Sequence, residues 1–295
     1  MSTLFSNGCS FTVGHELKDI SRVDRFSNIV AKELGLFDWN EAKVGGSNSR
    51  IYRTTINSIL GGKTYTEIRK GVKVKESRFK NGAVITHASN RLATGEKKPT
   101  LAVIVWTGMN RMEHLDGCKE NTAYRGGFPY HWKNVNWKKF EFDKKTLLPT
   151  LKSEVVWSPW SHPSFQKKGE DFMKMRNMLW CLRDTINNML AVKYFLEAQQ
   201  IPQLHYVFSS QHYKPLLYLL DTKVYEAANI MWDSLDLNKQ QVLEELPFLK
   251  EEGFLEMTQR LSLPIGRKGH PLEEAHEHMA GRILKDYDKI NKQNN

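Results

Sequence analysis

Long apolar runs are missing from this sequence. No stretch approaches the roughly 20 residues that a helix needs to span a bilayer, so a helical membrane protein is excluded and no membrane partner is expected. Cysteine is scarce too. The three present, Cys9, Cys118 and Cys181, are odd in number and widely spaced. Neither a disulfide framework nor a thiolate metal site fits that usage, and a reducing, cytoplasmic setting is expected. The first residues, Met1 to Gly8, lack a basic segment leading into a long apolar one, so no signal peptide is expected. Internal repeats are absent, and the only low-complexity stretch is the polar tail 291–295.

What is there describes a folded chain. The 295 residues are 40% hydrophobic and 11% aromatic, too rich for disorder and long enough for one large domain over 1–295. Lys and Arg number 43 against 33 acidic residues, a formal net charge of +10. That excess favours encounters with anions without identifying one.

Strand and helix signals alternate along the chain. Leu4 to Phe11 reads as a short buried strand ending in a Gly/Ser/Thr turn. Val23, Phe26, Val30 and Leu34 recur at helical spacing and predict a helix over about 22–35. A short strand near Trp39–Val44 precedes Gly45-Gly46-Ser47-Asn48, and Ile51, Thr55, Ile56 and Leu60 predict a second helix. The run Leu101-Ala102-Val103-Ile104-Val105-Trp106 is apolar on both alternating faces, as a central parallel strand is. A long helix over about 170–199 and a strand Leu204–Phe208 follow, then several helices over about 213–260. A last helix is expected after His270, with Pro271 in its first turn. Two stretches interrupt this rhythm. Residues 61–99 read as a basic β-hairpin turning at Asn81-Gly82. Residues 115–168 form an insertion rich in Trp, Tyr, Phe and Lys. The fold class expected is α/β: a three-layer, doubly wound parallel sheet of flavodoxin-like type carrying both insertions.

Four short motifs fall at the ends of these elements: Gly8-Cys9-Ser10-Phe11-Thr12, Gly45-Gly46-Ser47-Asn48, Gly108-Met109-Asn110-Arg111 and Gly269-His270-Pro271. Their order resembles the four blocks of the SGNH/GDSL hydrolases, and their wording resembles members of that family carried by bacteriophages. The resemblance implies Ser10 as nucleophile and His270 as its base. It implies an oxyanion hole built from Ser10, Gly46 and Asn110. The position three before His270, where the family has aspartate, holds Arg267, so the resemblance leaves either a Ser10–His270 dyad with the imidazole oriented by backbone carbonyls or an acid supplied from elsewhere. Glu113 and Glu273 are the candidates. In an open α/β sheet the carboxyl ends of the strands meet at one crevice, which is where Ser10, Gly46 and Asn110 should converge. A serine hydroxyl needs a nearby base to attack a carbonyl, and each oxyanion donor is worth about 2.7–4 kcal/mol.

The activity implied is hydrolysis of an ester, a small acyl group such as acetyl on a carbohydrate or related polar substrate, without a cofactor. No His/Cys/Asp/Glu cluster has metal-ligand spacing, so no metal is expected. His276 shares a helical face with Leu272, Met279 and Ile283 and should pack in the core, while His278 falls on the polar face. Cys9 should point away from the site as a small buried residue. Two other classes of function compete. One is a non-catalytic phage- or virion-associated binding protein on the same scaffold; a phage-encoded chain is expected in the host cytoplasm. The other is a nucleic-acid binder acting through the hairpin lysines Lys73, Lys75 and Lys80, which no accompanying nucleic-acid motif favours.

Overall fold

The computed structural model describes residues 2–18, 23–60, 98–108, 178–213 and 239–294, together with short strands between 77 and 157. In chain order the regular elements are β1 (Thr3–Asn7), α1 (Ser10–Val13), α2 (Phe26–Glu33), β2 (Phe37–Asn40) and α3 (Asn48–Ile59). Next come β3 (Ser77–Arg78), β4 (Val84–Ile85), β5 (Leu101–Trp106), β6 (Arg111–Asp116) and β7 (Lys119–Arg125). Then follow β8 (Phe142–Asp143), β9 (Leu148–Pro149), β10 (Val155–Trp157), α4 (Met178–Ala198) and β11 (Gln203–Val207). The chain ends with α5 (Lys239–Glu245), α6 (Phe254–Arg260) and α7 (Glu273–Asn294).

Four strands make the central sheet in the order β11-β5-β1-β2, every pair parallel. Period-2 alternation sorts the side chains of β5 onto two faces. Ala102, Ile104 and Trp106 join a core with Ile51 of α3, Ile186, Met189 and Leu196 of α4, and Val242 of α5. Leu101, Val103 and Val105 join a second core with Phe26 and Val30 of α2, Phe254 of α6, and Met279 and Ile283 of α7. Helices therefore cover both faces, and the fold is the α/β sandwich around a parallel sheet expected from the alternating pattern. β5 is buried along its whole length for that reason.

Boundaries shift where local chemistry intervenes. β1 stops at Asn7 and the chain turns into α1, so Phe11 belongs to a helical turn and not to the strand. α2 begins at Phe26, leaving Val23 49% exposed before it. Pro271 lies just before α7, paired across an isolated bridge with Ile265, and the helix opens on Glu273 and Glu274. Two carboxylates in a first turn suit the positive end of the helix dipole.

In the stretch read as a hairpin, β3 pairs antiparallel with β4; the Asn81-Gly82 turn lies outside the described residues. Within and just before the aromatic insertion, β6, β7 and β10 form an antiparallel sheet, which helix-poor composition alone did not specify. Among the described residues, no helix is long and apolar enough to cross a membrane.

Candidate active site

The carboxyl end of β1 is fixed by a buried asparagine. The Asn7 amide donates to the Ile51 carbonyl and to the Thr54 and Thr55 hydroxyls of α3 at 2.8–3.1 Å, and its oxygen accepts the Gly8 N–H at 2.8 Å. Gly8 has no room for a side chain. A Cβ there would lie 2.1 Å from Thr12 Oγ1 and 2.9 Å from the Val105 carbonyl. The turn so compressed opens α1 at Ser10 and ends at Gly14, whose φ of 73° closes it in the left-handed region.

Ser10 and His270 meet. The Ser10 hydroxyl lies 2.9 Å from His270 Nε2. The imidazole is flanked by the ring of Phe11 at 5.3 Å and by His15 at 4.8 Å, centroid to centroid. On its far side, His270 Nδ1 is 2.8 Å from Oε2 of Glu16. The carboxylate that reaches the imidazole thus comes from just beyond the turn that carries Ser10, six residues after it, and not from the places expected of it. Glu273 is engaged with the Lys18 N–H at 2.8 Å. Glu113 lies in β6, opposite Thr122. Arg267 is exposed.

Glu16 is held as an anion. Burial alone would raise its pKa, but the bond to the His270 ring and the backbone N–H groups of Lys268 and His270 outweigh it and hold the carboxyl below its ordinary range. The Lys268 N–H lies 2.9 Å from both carboxylate oxygens, and the His270 N–H lies 3.3 Å from Oε2. An ionised carboxylate only accepts hydrogen bonds, so Nδ1 carries the proton and Nε2 of the neutral ring accepts from the serine. That arrangement can pull a proton from Ser10.

The loop between α6 and α7 presents His270. The Gly266 N–H donates to the His270 carbonyl at 2.7 Å, and the Gly269 N–H returns to the Gly266 carbonyl at 2.9 Å. Gly269 sits at φ 83°, which a residue with a side chain would resist.

Gly46 lies against the turn that leads into Ser10, with a Cβ position 3.0 Å from the Gly8 carbonyl and 3.7 Å from Cys9 Cα. Its N–H donates to the Lys43 carbonyl at 2.9 Å, closing the 43–46 turn. The end of β5 is clamped by Asn48, whose amide donates to the Thr107 carbonyl at 3.1 Å and accepts the Thr107 N–H at 2.9 Å. Tyr213 also donates to that carbonyl. Asn110, three residues on, lies outside the described residues. Cys9 is fully buried in the core of Leu4, Phe11 and Val105. His276 is buried as well, its Nδ1 accepting the Phe26 N–H at 3.2 Å, and His278 is exposed. Among the described residues no group of three or more His, Cys, Asp or Glu is placed to hold a metal ion.

Glu16 is the member of the site that motif reasoning passes over. Its one sequence signal is position: it is the first acidic residue after Ser10, two residues beyond the Gly14 that ends the turn.

No protein-family model matches the chain, and no characterised protein matches it in sequence. Solved structures resemble it in chain course. One is the psychrotrophic esterase EstA from Pseudoalteromonas sp., at 10% identity and TM-score 0.40 over 100% of both chains. Another is an acetyl xylan esterase from the rumen bacterium Butyrivibrio proteoclasticus, at 9% identity and TM-score 0.36, covering 98% of this chain and 64% of that one. A third is a carbohydrate esterase family 2 enzyme with a carbohydrate-binding domain from Corynascus thermopiles (Myceliophthora fergusii). It is 12% identical with TM-score 0.36, covering 97% of this chain and 65% of that one. The chain therefore spans just under two thirds of the second and third of these structures.

Proposed function

We propose that this chain is a serine hydrolase of esters, with Ser10 as nucleophile, His270 as general base and acid, and Glu16 as the carboxylate that orients the imidazole. The observation that carries the reading is the unbroken line from Glu16 Oε2 through His270 to Ser10 Oγ, with steps of 2.8 and 2.9 Å. Surface polar pairs are common, but a serine, an imidazole and an ionised carboxylate in series are the components of acyl transfer.

The reaction follows from that order. Ser10 Oγ adds to the ester carbonyl carbon as its proton passes to His270 Nε2, and the carbonyl oxygen becomes an oxyanion. The imidazolium so formed is stabilised by the Glu16 carboxylate at Nδ1. Collapse of the adduct breaks the bond to the alcohol oxygen, which leaves with the proton from Nε2, and an acyl-Ser10 ester remains. Water then adds to that ester with His270 again taking the proton, and the second collapse returns the proton to Ser10 and releases the acid.

Ser10 opens a helical turn, so its N–H has no partner within that turn and is available to the oxyanion. The Asn110 amide is the second donor proposed. The Gly46 N–H joins them only by giving up the Lys43 carbonyl. The substrate class, a small acyl group such as acetyl on a carbohydrate or related polar alcohol, rests on the motif resemblance.

Purified protein should hydrolyse p-nitrophenyl acetate. Ser10→Ala should reduce kcat/KM by up to about a million-fold, to the level left when a catalytic serine is removed. A fluorophosphonate should label the wild type at Ser10 and leave that variant unlabelled. Equal inertness of both proteins, with no labelling, would sink the hydrolase reading and leave a binding protein on this scaffold.

A further inference from the structure

We infer that Gly266 is a positioning residue of this site, because the space left by its missing side chain is where the Glu16 carboxylate sits to reach His270. The inference rests on the role proposed above for Glu16. A Cβ placed on Gly266 would lie 2.9 Å from both Cδ and Oε2 of Glu16 and 3.1 Å from Oε1. These are closer than carbon and carboxylate atoms tolerate, and Oε2 is the oxygen bonded to Nδ1.

The carboxylate is thereby boxed on one side by Gly266 and on the other by the N–H groups of Lys268 and His270. These contacts all come from the loop that carries the histidine. Gly266 does not have a positive φ, so its backbone admits alanine without strain. An added methyl meets the mobile end of a glutamate, which yields more readily than the backbone. The cost therefore falls on the alignment of Oε2 with Nδ1 and not on folding. Gly269 is the contrast within the same loop. Its φ of 83° demands glycine for backbone reasons, yet nothing lies within 4 Å of its Cβ position.

The test is a double-mutant cycle read with p-nitrophenyl acetate and by NMR. Gly266→Ala should lower kcat by about 10²-fold, the scale of an ångström-sized misplacement, with KM little changed. A carboxylate stabilises the imidazolium, so its displacement should move the acid limb of the kcat/KM profile to lower pH. The far-downfield Nδ1–H proton resonance of His270 should move upfield or vanish. In a Glu16→Ala background, where no carboxylate remains to displace, Gly266→Ala should change kcat less than about twofold.

The inference is overturned if Gly266→Ala keeps the wild-type kcat, pH profile and downfield proton, or if it costs the same factor in both backgrounds. Should the single variant fail to fold, recovery of folding in the Glu16→Ala double variant supports the inference, and continued unfolding overturns it. Turnover that depends on Ser10 and Glu16 but not on Gly266 defeats this inference alone. A Glu16→Ala variant with wild-type turnover defeats the role of Glu16 itself. If the protein proves inert toward the ester, the downfield proton in wild type and Gly266→Ala still decides the geometry.

Discussion

Glu16 occupies a backbone conformation that glutamate ordinarily avoids, with φ at 75°. A side chain in the left-handed region costs about 1–2 kcal/mol, and such strain persists where the surroundings over-determine it. Here the surroundings are the His270 ring and two backbone N–H groups, all converging on one carboxylate. The strain and the proposed catalytic role can be separated by comparing two substitutions. Glu16→Ala and Glu16→Gly both remove the carboxylate, so both should lower kcat/KM by about 10²- to 10⁴-fold, the range left by loss of an orienting acid. Only glycine relieves the backbone, so it should be about 1 kcal/mol more stable than alanine in urea unfolding. Equal stability would mean that Glu16 is not strained. The same residue marks where motif reading stops. Ser10 and His270 are legible because each sits in a short pattern at the end of an element. Glu16 reaches the imidazole by way of an αL turn and the geometry of a loop some 250 residues later, and no spacing rule encodes that.

At the scale of elements, β5 is the most legible part of the chain. Six consecutive apolar residues leave no solvent face, and only a central strand covered on both sides accommodates them. Its expected bounds, Leu101 to Trp106, agree with those of the structure. Helix starts are less legible, because the side chains that fix them act across the fold. α2 starts at Phe26, where the N–H of that residue donates to His276 of α7. The half-buried Arg25–Asp38 pair ties the same helix start to β2. Since β5 holds the two cores apart, truncation of one of its core residues should be costly. Ile104→Ala should destabilise by about 2–5 kcal/mol, as large-to-small changes in closed cores do. Urea unfolding monitored by circular dichroism would measure it. A loss below about 1 kcal/mol would mean that the core on the α3–α4 side can collapse around the gap.

At the scale of the whole molecule, two histidines on opposite faces of the sheet are held far below the usual imidazole range. His276, 1% exposed, lies stacked on Phe26 at 5.7 Å and edge-on to Phe254 at 5.1 Å. Burial pushes its pKa down from 6.5 to about 3; Glu273 opposes that push, while Arg25 and His270 add to it. On the opposite face, His205 stacks on Phe248, accepts the Trp106 indole N–H at 3.0 Å and is likewise pushed to about 3, by burial and by Lys193. Between pH 6.5 and 3 the unfolded chain binds protons at both positions and the native chain does not, so stability must fall as pH falls through that window. Below about 4.5 the depressed carboxyls of Glu16, Glu245, Glu252 and Glu273 add to the loss, since each takes up its proton later in the folded state. His276 and His205 should therefore contribute a steady decline in the thermal midpoint from pH 7 to pH 4.5. Asparagine at 276 keeps an acceptor for the Phe26 N–H but cannot titrate. His276→Asn should be less stable than wild type at pH 7 and should lose stability less steeply on acidification. Unfolding midpoints measured at half-unit steps from pH 7 to 4.5 decide the matter, because parallel curves for the two proteins would remove His276 from the account.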